Sequence, residues 1–316
     1  MLLSFSGLVA LALSAKLEEP KPPRKPPQVF VRVLRTVLLT IVVGGLFLMW
    51  KEESLIFHPV KYPEGYWEPT FPDLGDDSIT PQIEDVWLTA ADGTRIHAWF
   101  VTPVRGPQRE PVETTATVLL CHGNAGNLSD RVERLSLMVQ FPVSVLIFDY
   151  RGFGRSEGKP SEAGAYQDAN AAWNYLVDER EIPEGQLVIF GVSLGGAVAA
   201  AQAEVCKPAG LILESTFTSV PEMAGRAYPF VPKFMIRTKM NTLRRIQHLS
   251  MPKLILHSPG DEIIPYEFGE ALFDAAAQPK TFYPLPDCRH NETVLCGGKE
   301  YFSQLRQFIG ACTPTE

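Results

Sequence analysis

From about residue 84 the chain alternates short apolar runs with stretches whose apolar residues recur three and four apart. Residues 84–89 and 95–101 alternate apolar and polar positions on either side of Asp92-Gly93, which predicts an antiparallel hairpin. Residues 117–121, 143–148, 187–190, 211–213, 254–257 and 281–285 are short apolar runs, the pattern of strands covered on both faces. Between them Leu128, Val132, Leu135 and Met138 recur at helical spacing, as do Tyr166, Ala169, Trp173, Leu176 and Val177. Residues 194–203 predict an Ala- and Gly-rich helix, and 266–277 and 301–309 add helical stretches. A hairpin followed by strand–helix repeats predicts an α/β domain over 84–312, with a mostly parallel central sheet and helices on both faces. The segment 216–250, between two core strands, is expected to be a small lid.

The chain before residue 84 reads differently. Residues 1–28 are a tail: an apolar stretch to Ala15, which resembles a weak signal core or lies ahead of the true start, then a linker rich in proline from Lys16 to Pro27. Residues 29–50 are mostly apolar, and 22 helical residues would span about 33 Å, close to the roughly 30 Å hydrocarbon core of a bilayer. This predicts an N-terminal transmembrane helix, with Arg32 and Arg35 reaching back to headgroups and Trp50 and Lys51 at the far interface. No small-x-small cleavage site comes soon after Trp50, which favours an uncleaved anchor over a signal peptide. Residues 51–83 are a connecting segment. Basic residues precede the span, so the N-terminus is expected in the cytoplasm and the main body on the outer (periplasmic or luminal) side of the membrane.

Composition narrows the class. The apolar share of 45% and charged share of 21% are those of a folded globular body. With 24 glycines and 27 prolines in 316 residues, the chain is neither collagen-like nor of low complexity. The net charge is −7, and residues 1–50 hold six basic but two acidic side chains, so the body is more acidic still. An acidic body is a poor partner for nucleic acid. The five cysteines form neither a disulfide framework nor a zinc-ligand spacing. Cys121, Cys206 and Cys312 read as core or surface thiols. Cys288 and Cys296 are expected to be free thiols too, with a bridge as the alternative if the body lies in an oxidising compartment.

The candidate chemistry sits at strand ends. Gly191-Val192-Ser193-Leu194-Gly195 is a G-x-S-x-G between a predicted strand and a predicted helix, the context that lifts a serine hydroxyl above a sheet. The rival reading, a Gly-rich phosphate loop, lacks a Walker lysine and a G-x-G-x-x-G pattern. His122-Gly123-Asn124-Ala125-Gly126-Asn127 follows another strand, where a turn can aim a backbone amide at the site. The amides of Asn124 and Leu194 are the expected oxyanion-hole donors. A nucleophilic serine needs a base and an orienting acid, which in this order follow it in the chain. Asp261 lies in the loop after strand 254–257, and His290 follows strand 281–285. Glu262, Glu214 and Asp149 are rival acids, and His122 is a rival base. Asp149, in Asp149-Tyr150-Arg151-Gly152, is expected to stabilise its Gly-rich turn.

These segments together resemble the α/β-hydrolase superfamily and, more narrowly, membrane-anchored ABHD-type serine hydrolases and their bacterial relatives. The resemblance rests on Glu53-Ser54-Leu55-Ile56-Phe57-His58-Pro59, HGNAGN at His122, DYRGFGRSEG at Asp149, GVSLGG at Gly191, ESTFTS at Glu214, SPGDEIIP at Ser258 and RHNET at Arg289. It covers about residues 53–310 and implies the α/β-hydrolase fold. It also implies ester or thioester hydrolysis of a small-molecule acyl substrate through an acyl-enzyme, with no cofactor or metal and with Ser193, Asp261 and His290 as triad. Two positions depart from the pattern: Cys288-Arg289 stands where relatives often have small residues, and Val192 where many have arginine. Both bear on substrate choice. A serine peptidase, an acyltransferase and a membrane-tethered binding module without activity stay open. The predicted lid interleaves Arg226, Lys233, Arg237, Lys239, Arg244 and Arg245 with Met223, Tyr228, Phe230, Val231, Phe234, Met235 and Ile236. That mixture suits a membrane surface or a lipid-like acyl substrate, such as a lysophospholipid, monoacylglycerol or acyl-thioester. The alternative is an apolar cover with a solvated cationic face.

Overall fold

The computed structural model describes residues 28–71, 75 and 77–313. The expected apolar start (1–15) and proline-rich linker (16–27) lie outside the described residues. The chain divides into two units between Leu48 and Met49. The first holds most of helix α1, Gln28–Ile56. Within α1, Gln28–Phe47 is long and apolar enough to cross a membrane. Its two threonines satisfy their hydroxyls on the helix itself, Thr36 on Arg32 O and Thr40 on Thr36 O. The helix runs six residues past the predicted end at Trp50, to Ile56.

The second unit opens with the last turns of α1 and the two-residue strand β1 (His58–Pro59). Strands β2 (Ile79–Thr89) and β3 (Arg95–Arg105) form the predicted hairpin around Asp92-Gly93, and β2 begins five residues before the predicted position 84. The short β4 (Glu110–Pro111) returns along β3. Then follow β5 (Ala116–Cys121), β6 (Ala125–Gly126), a 3₁₀ turn at Leu128–Arg131, α2 (Val132–Met138) and β7 (Val143–Phe148). Next come α3 (Glu162–Asn174), β8 (Leu187–Val192), α4 (Leu194–Val205) and β9 (Gly210–Glu214). The lid segment holds α5 (Val220–Ala227) and α6 (Thr242–Ile246). The body closes with β10 (Lys253–His257), α7 (Tyr266–Ala275), β11 (Lys280–Pro284), α8 (Thr293–Cys296) and α9 (Gly298–Cys312).

The main sheet runs β11-β10-β9-β8-β5-β7-β3-β2. Its strands from β11 to β7 are parallel, and the β2–β3 hairpin joins antiparallel at one edge. Alternation along each central strand feeds two cores. On β5, Leu119 and Cys121 join α3 and α4 through Ala165, Ala169 and Val198. Val118 and Leu120 face Leu135 and Met138 of α2 and Leu305 and Ile309 of α9. Two covered faces explain why β5 and β7 are buried throughout and read as unbroken apolar runs. The register pairs Cys121 with Gly191, Val192 with Glu214, and His257 with Pro284. The loops carrying His122, Ser193, Ser215, Asp261 and His290 therefore leave the sheet at one edge. Open parallel sheets place their ligands outside this carboxyl edge.

Candidate active site

Ser193 occupies the turn from β8 into α4 with φ 55° and ψ −121°, a region that non-glycine residues rarely adopt. The neighbouring glycines make that turn possible by close approach. A Cβ on Gly191 would lie 2.4 Å from Gly195 O, and one on Gly195 would lie 2.0 Å from Cys121 O. The turn is clamped from the next strand: Ser193 N–H donates to Glu214 O (2.9 Å), and Thr216 Oγ1 donates to Ser193 O (2.6 Å).

Three predicted side chains meet here. His290 Nε2 lies 3.0 Å from Ser193 Oγ, and His290 Nδ1 lies 2.8 Å from Asp261 Oδ2. With the proton on Nδ1, held by Asp261, Nε2 is left to accept the serine hydroxyl. Asp261 Oδ1 accepts the amides of Ile263 (3.0 Å) and Ile264 (2.7 Å). Burial pushes its carboxyl pKa up, but hydrogen bonds from His257, His290 and the Ile264 amide outweigh that and hold it well below the usual carboxylate range. Asp261 therefore stays ionised beside the imidazole.

The turn after β5 supplies the facing wall. A Cβ on Gly123 would lie 3.5 Å from Ser193 Cβ, so the Gly123–Asn124 peptide abuts the serine. Among the described residues no acceptor takes the amide of Asn124 or of Leu194, the first residue of α4. Two free amides beside a hydroxyl are the geometry an oxyanion requires. No three His, Cys, Asp or Glu side chains are grouped as a metal would need, among the described residues.

The rival side chains have other partners. His122 is buried, with Nδ1 2.7 Å from Gly123 O and Nε2 3.5 Å from Asp149 Oδ1, whereas the histidine nitrogen at the serine hydroxyl is that of His290. Asp149 accepts the Leu128 amide (2.7 Å), while Arg151 pairs with Asp168 (2.8 Å) and Asp92 (2.7 Å). Glu262 accepts the His290 amide (3.0 Å) and pairs with Arg289 (3.2 Å). Glu214 is fully buried and accepts from Arg134 (2.7 and 3.0 Å), Thr293 (2.6 Å) and Tyr301 (2.5 Å).

Sequence reasoning missed this last network, because Arg134 reads as one more polar position on an amphipathic helix. It also passed over His257, at the end of β10, whose Nε2 lies 3.5 Å from Asp261 Oδ2 and 2.9 Å from Ile264 O. The four-residue spacing from His257 to Asp261 was its visible signal.

One expectation changes. Cys288 and Cys296 are joined as a disulfide, with Cα atoms 5.9 Å apart, and so are not free thiols. The bridge folds α8 back against the residues that precede His290, a proximity no sequence spacing reveals. In the lid, four of the six cations are in ion pairs: Arg226 with Glu267, Lys233 with Glu222, Arg237 with Glu52 and Arg245 with Glu204. The cationic face is therefore largely neutralised by acids, three of which lie outside the lid. Phe230 and Phe234 stay exposed on it, at 78% and 84%.

A family model described as "Serine aminopeptidase, S33" matches residues 112–238. The chain is 34% identical over 303 residues to the "Alpha/beta hydrolase domain-containing protein WAV2" of Arabidopsis thaliana, covering 87% of this chain and 92% of that protein. Protein bem46 of Schizosaccharomyces pombe is 29% identical over 86% of this chain and 90% of its own length. Among solved structures, the Pyrococcus furiosus esterase Pf2001 superposes with a TM-score of 0.63 at 18% identity, over 82% of this chain and 98% of that one. A Mycobacterium tuberculosis puromycin-hydrolyzing peptidase superposes with a TM-score of 0.61 at 19% identity, over 75% of this chain and 40% of that one.

Proposed function

The chain belongs to the α/β-hydrolase superfamily, and from that premise we propose that it is a serine hydrolase cleaving carboxylic ester or thioester bonds of lipid-like acyl substrates through an acyl-serine intermediate. The observation that carries this reading is the unbroken relay from Ser193 Oγ to His290 Nε2 (3.0 Å) and from His290 Nδ1 to Asp261 (2.8 Å). His290 takes the serine proton as Oγ attacks the acyl carbon. Asp261 holds the imidazole tautomer and offsets the charge of the imidazolium. The amides of Asn124 and Leu194 bind the developing oxyanion, each worth roughly 2.7–4 kcal/mol in the transition state. The imidazolium then protonates the leaving group. Water, deprotonated by His290, releases the acyl chain and restores the serine.

A peptidase is the second reading, favoured by the family model at residues 112–238. Recognition of a free amino terminus needs carboxylates facing the site, and the lid carries one acid, Glu222, already paired with Lys233. Glu52, Glu204 and Glu267, which meet the lid from outside, are each paired with one of its cations as well, and carboxylates engaged in this way favour acyl esters. The placement we propose is a single-pass anchor at α1 with the catalytic body outside the cytoplasm. The basic residues before the span support this orientation, as does the Cys288–Cys296 bridge, since disulfides persist in oxidising compartments.

The test is labelling by a fluorophosphonate probe, with turnover of a p-nitrophenyl ester series and of an aminoacyl anilide. Ser193→Ala is expected to abolish labelling and turnover together. Labelling retained at another residue refutes the assignment, and faster turnover of the anilide than of any ester selects the peptidase.

A further inference from the structure

The wall of the site opposite His290 is held by the stretch of chain that leaves the apolar helix. Ile56 is the last residue of α1, and its carbonyl accepts the Asn124 carboxamide (Nδ2–O 2.6 Å). A helix C-terminus leaves its final carbonyls without partners inside the helix, so Asn124 caps α1 with its side chain. Its main chain is tied to the same stretch: His58 N–H donates to Asn124 O (3.0 Å), and Val60 N–H donates to Gly126 O (3.0 Å). These bonds form the short parallel pairing of β1 with β6. Phe57 between them is buried and packs edge-on against Phe153, with ring centroids 6.5 Å apart. The same helix end also holds the lid, because Glu52 accepts the Thr238 amide (2.6 Å) and pairs with Arg237 (3.3 Å).

Peptide geometry connects this clamp to the chemistry. The carbonyl of the Gly123–Asn124 peptide is held by His122 Nδ1 (2.7 Å), and in a trans peptide the amide points the opposite way. Gly123 leaves that plane free to swing at one end. At the other end its orientation is set by Asn124, which is fixed through both its side chain and its carbonyl to residues 56–58. We propose that residues Ile56–Val60 are a positioning element of the oxyanion site, with the Asn124 carboxamide as latch and Phe57 as anchor, so that the catalytic rate depends on how the exit of the helix is seated. This rests on the serine-hydrolase reading above. No bond is made or broken at the latch; it sets the direction of one amide.

The experiment uses the full chain in detergent with Asn124→Ala, which keeps the backbone amide and removes the latch. Phe57→Ala and the milder Phe57→Leu loosen the anchor without approaching the reacting atoms. Competent sites are counted by fluorophosphonate titration, and kcat and KM for a p-nitrophenyl ester are expressed per titrated site. The Ki of a trifluoromethyl ketone is then measured, since its serine adduct places an oxyanion in the hole. Loss of a whole oxyanion donor costs about 10²–10³ in kcat, so a misdirected one is expected to cost about 10–100-fold, with KM within about twofold. The ketone Ki is expected to weaken in proportion to kcat/KM for Asn124→Ala and for the Phe57 variants. A merely structural role would lower the number of titrated sites and leave the per-site kcat and Ki unchanged, and that result overturns the proposal. Ser193→Ala, run in parallel, separates the two readings. Activity retained there sinks the serine-hydrolase assignment, whereas a dead Ser193→Ala with unchanged per-site values at Asn124 and Phe57 sinks the positioning element alone.

Discussion

Replacing Arg134 with methionine isolates the buried charge beneath the site. In the native chain Glu214 is fully buried, and Arg134 meets it with two hydrogen bonds of 2.7 and 3.0 Å. Burial pushes the Glu214 pKa up, but the Arg134 charge and the bonds from Arg134, Thr293 and Tyr301 bring it below its ordinary value. Methionine fills a similar volume and removes the charge. Thr293 and Tyr301 still bond the carboxylate, yet nothing neutralises it, and breaking one side of a buried pair destabilises by about 3–5 kcal/mol. For a domain of this size that lowers Tm by about 6–20 °C. The loss has a characteristic pH dependence. Without the Arg134 charge, the bonds from Thr293 and Tyr301 that remain are expected not to offset burial, so the Glu214 pKa rises above its unfolded value and the folded variant binds more protons than the unfolded chain. Its stability is then greatest at low pH and falls as pH rises through the folded pKa. Urea denaturation in detergent, followed by tryptophan fluorescence at several pH values, is the assay. The difference from the wild type is expected to widen between pH 5 and pH 8, and a second change, Glu214→Gln, is expected to remove that widening. A loss below about 1 kcal/mol with no pH dependence refutes the reasoning.

Three further outcomes are expected. Gly195→Ala puts a Cβ 2.0 Å from the backbone oxygen of Cys121, which no side-chain rotation relieves, so folded protein should not be recovered in detergent, while Gly185→Ala, with open space around it, is tolerated. Intact mass of protein from its native compartment should rise by two hydrogens on reduction of the Cys288–Cys296 bridge, and alkylation should then reach both sulfurs; no rise would refute the bridge. Asp261 binds its proton more weakly when folded than when unfolded, so its stabilisation is complete above about pH 4 and is lost as pH falls through the folded pKa. Acid titration of wild type against Asp261→Asn should show the two curves converging at low pH, and parallel curves would contradict the assigned environment.

Periodicity carried the architecture, because strands covered on both faces and helices covered on one leave different apolar rhythms in the chain. The runs at 117–121 and 143–148 became the buried strands β5 and β7, and the break at Asp92-Gly93 became the hairpin turn. Ser193, Asp261 and His290 were visible because each follows a strand, and parallel strands must deliver their following loops to one edge. Local sequence could not show what spans large separations. Arg134 and Glu214 are 80 residues apart, and Ile56 and Asn124 are 68 apart. Each pair is adjacent only because the sheet stacks its crossovers. Chain order already favoured a structural role for His122 and ranked Glu214 behind Asp261, but their partners were not legible for the same reason: what a histidine or glutamate at a strand end braces depends on what packing brings to it. The sequence determined which loops reach the site. Tertiary structure decided which side chains in those loops face the serine, and which hold the walls around it.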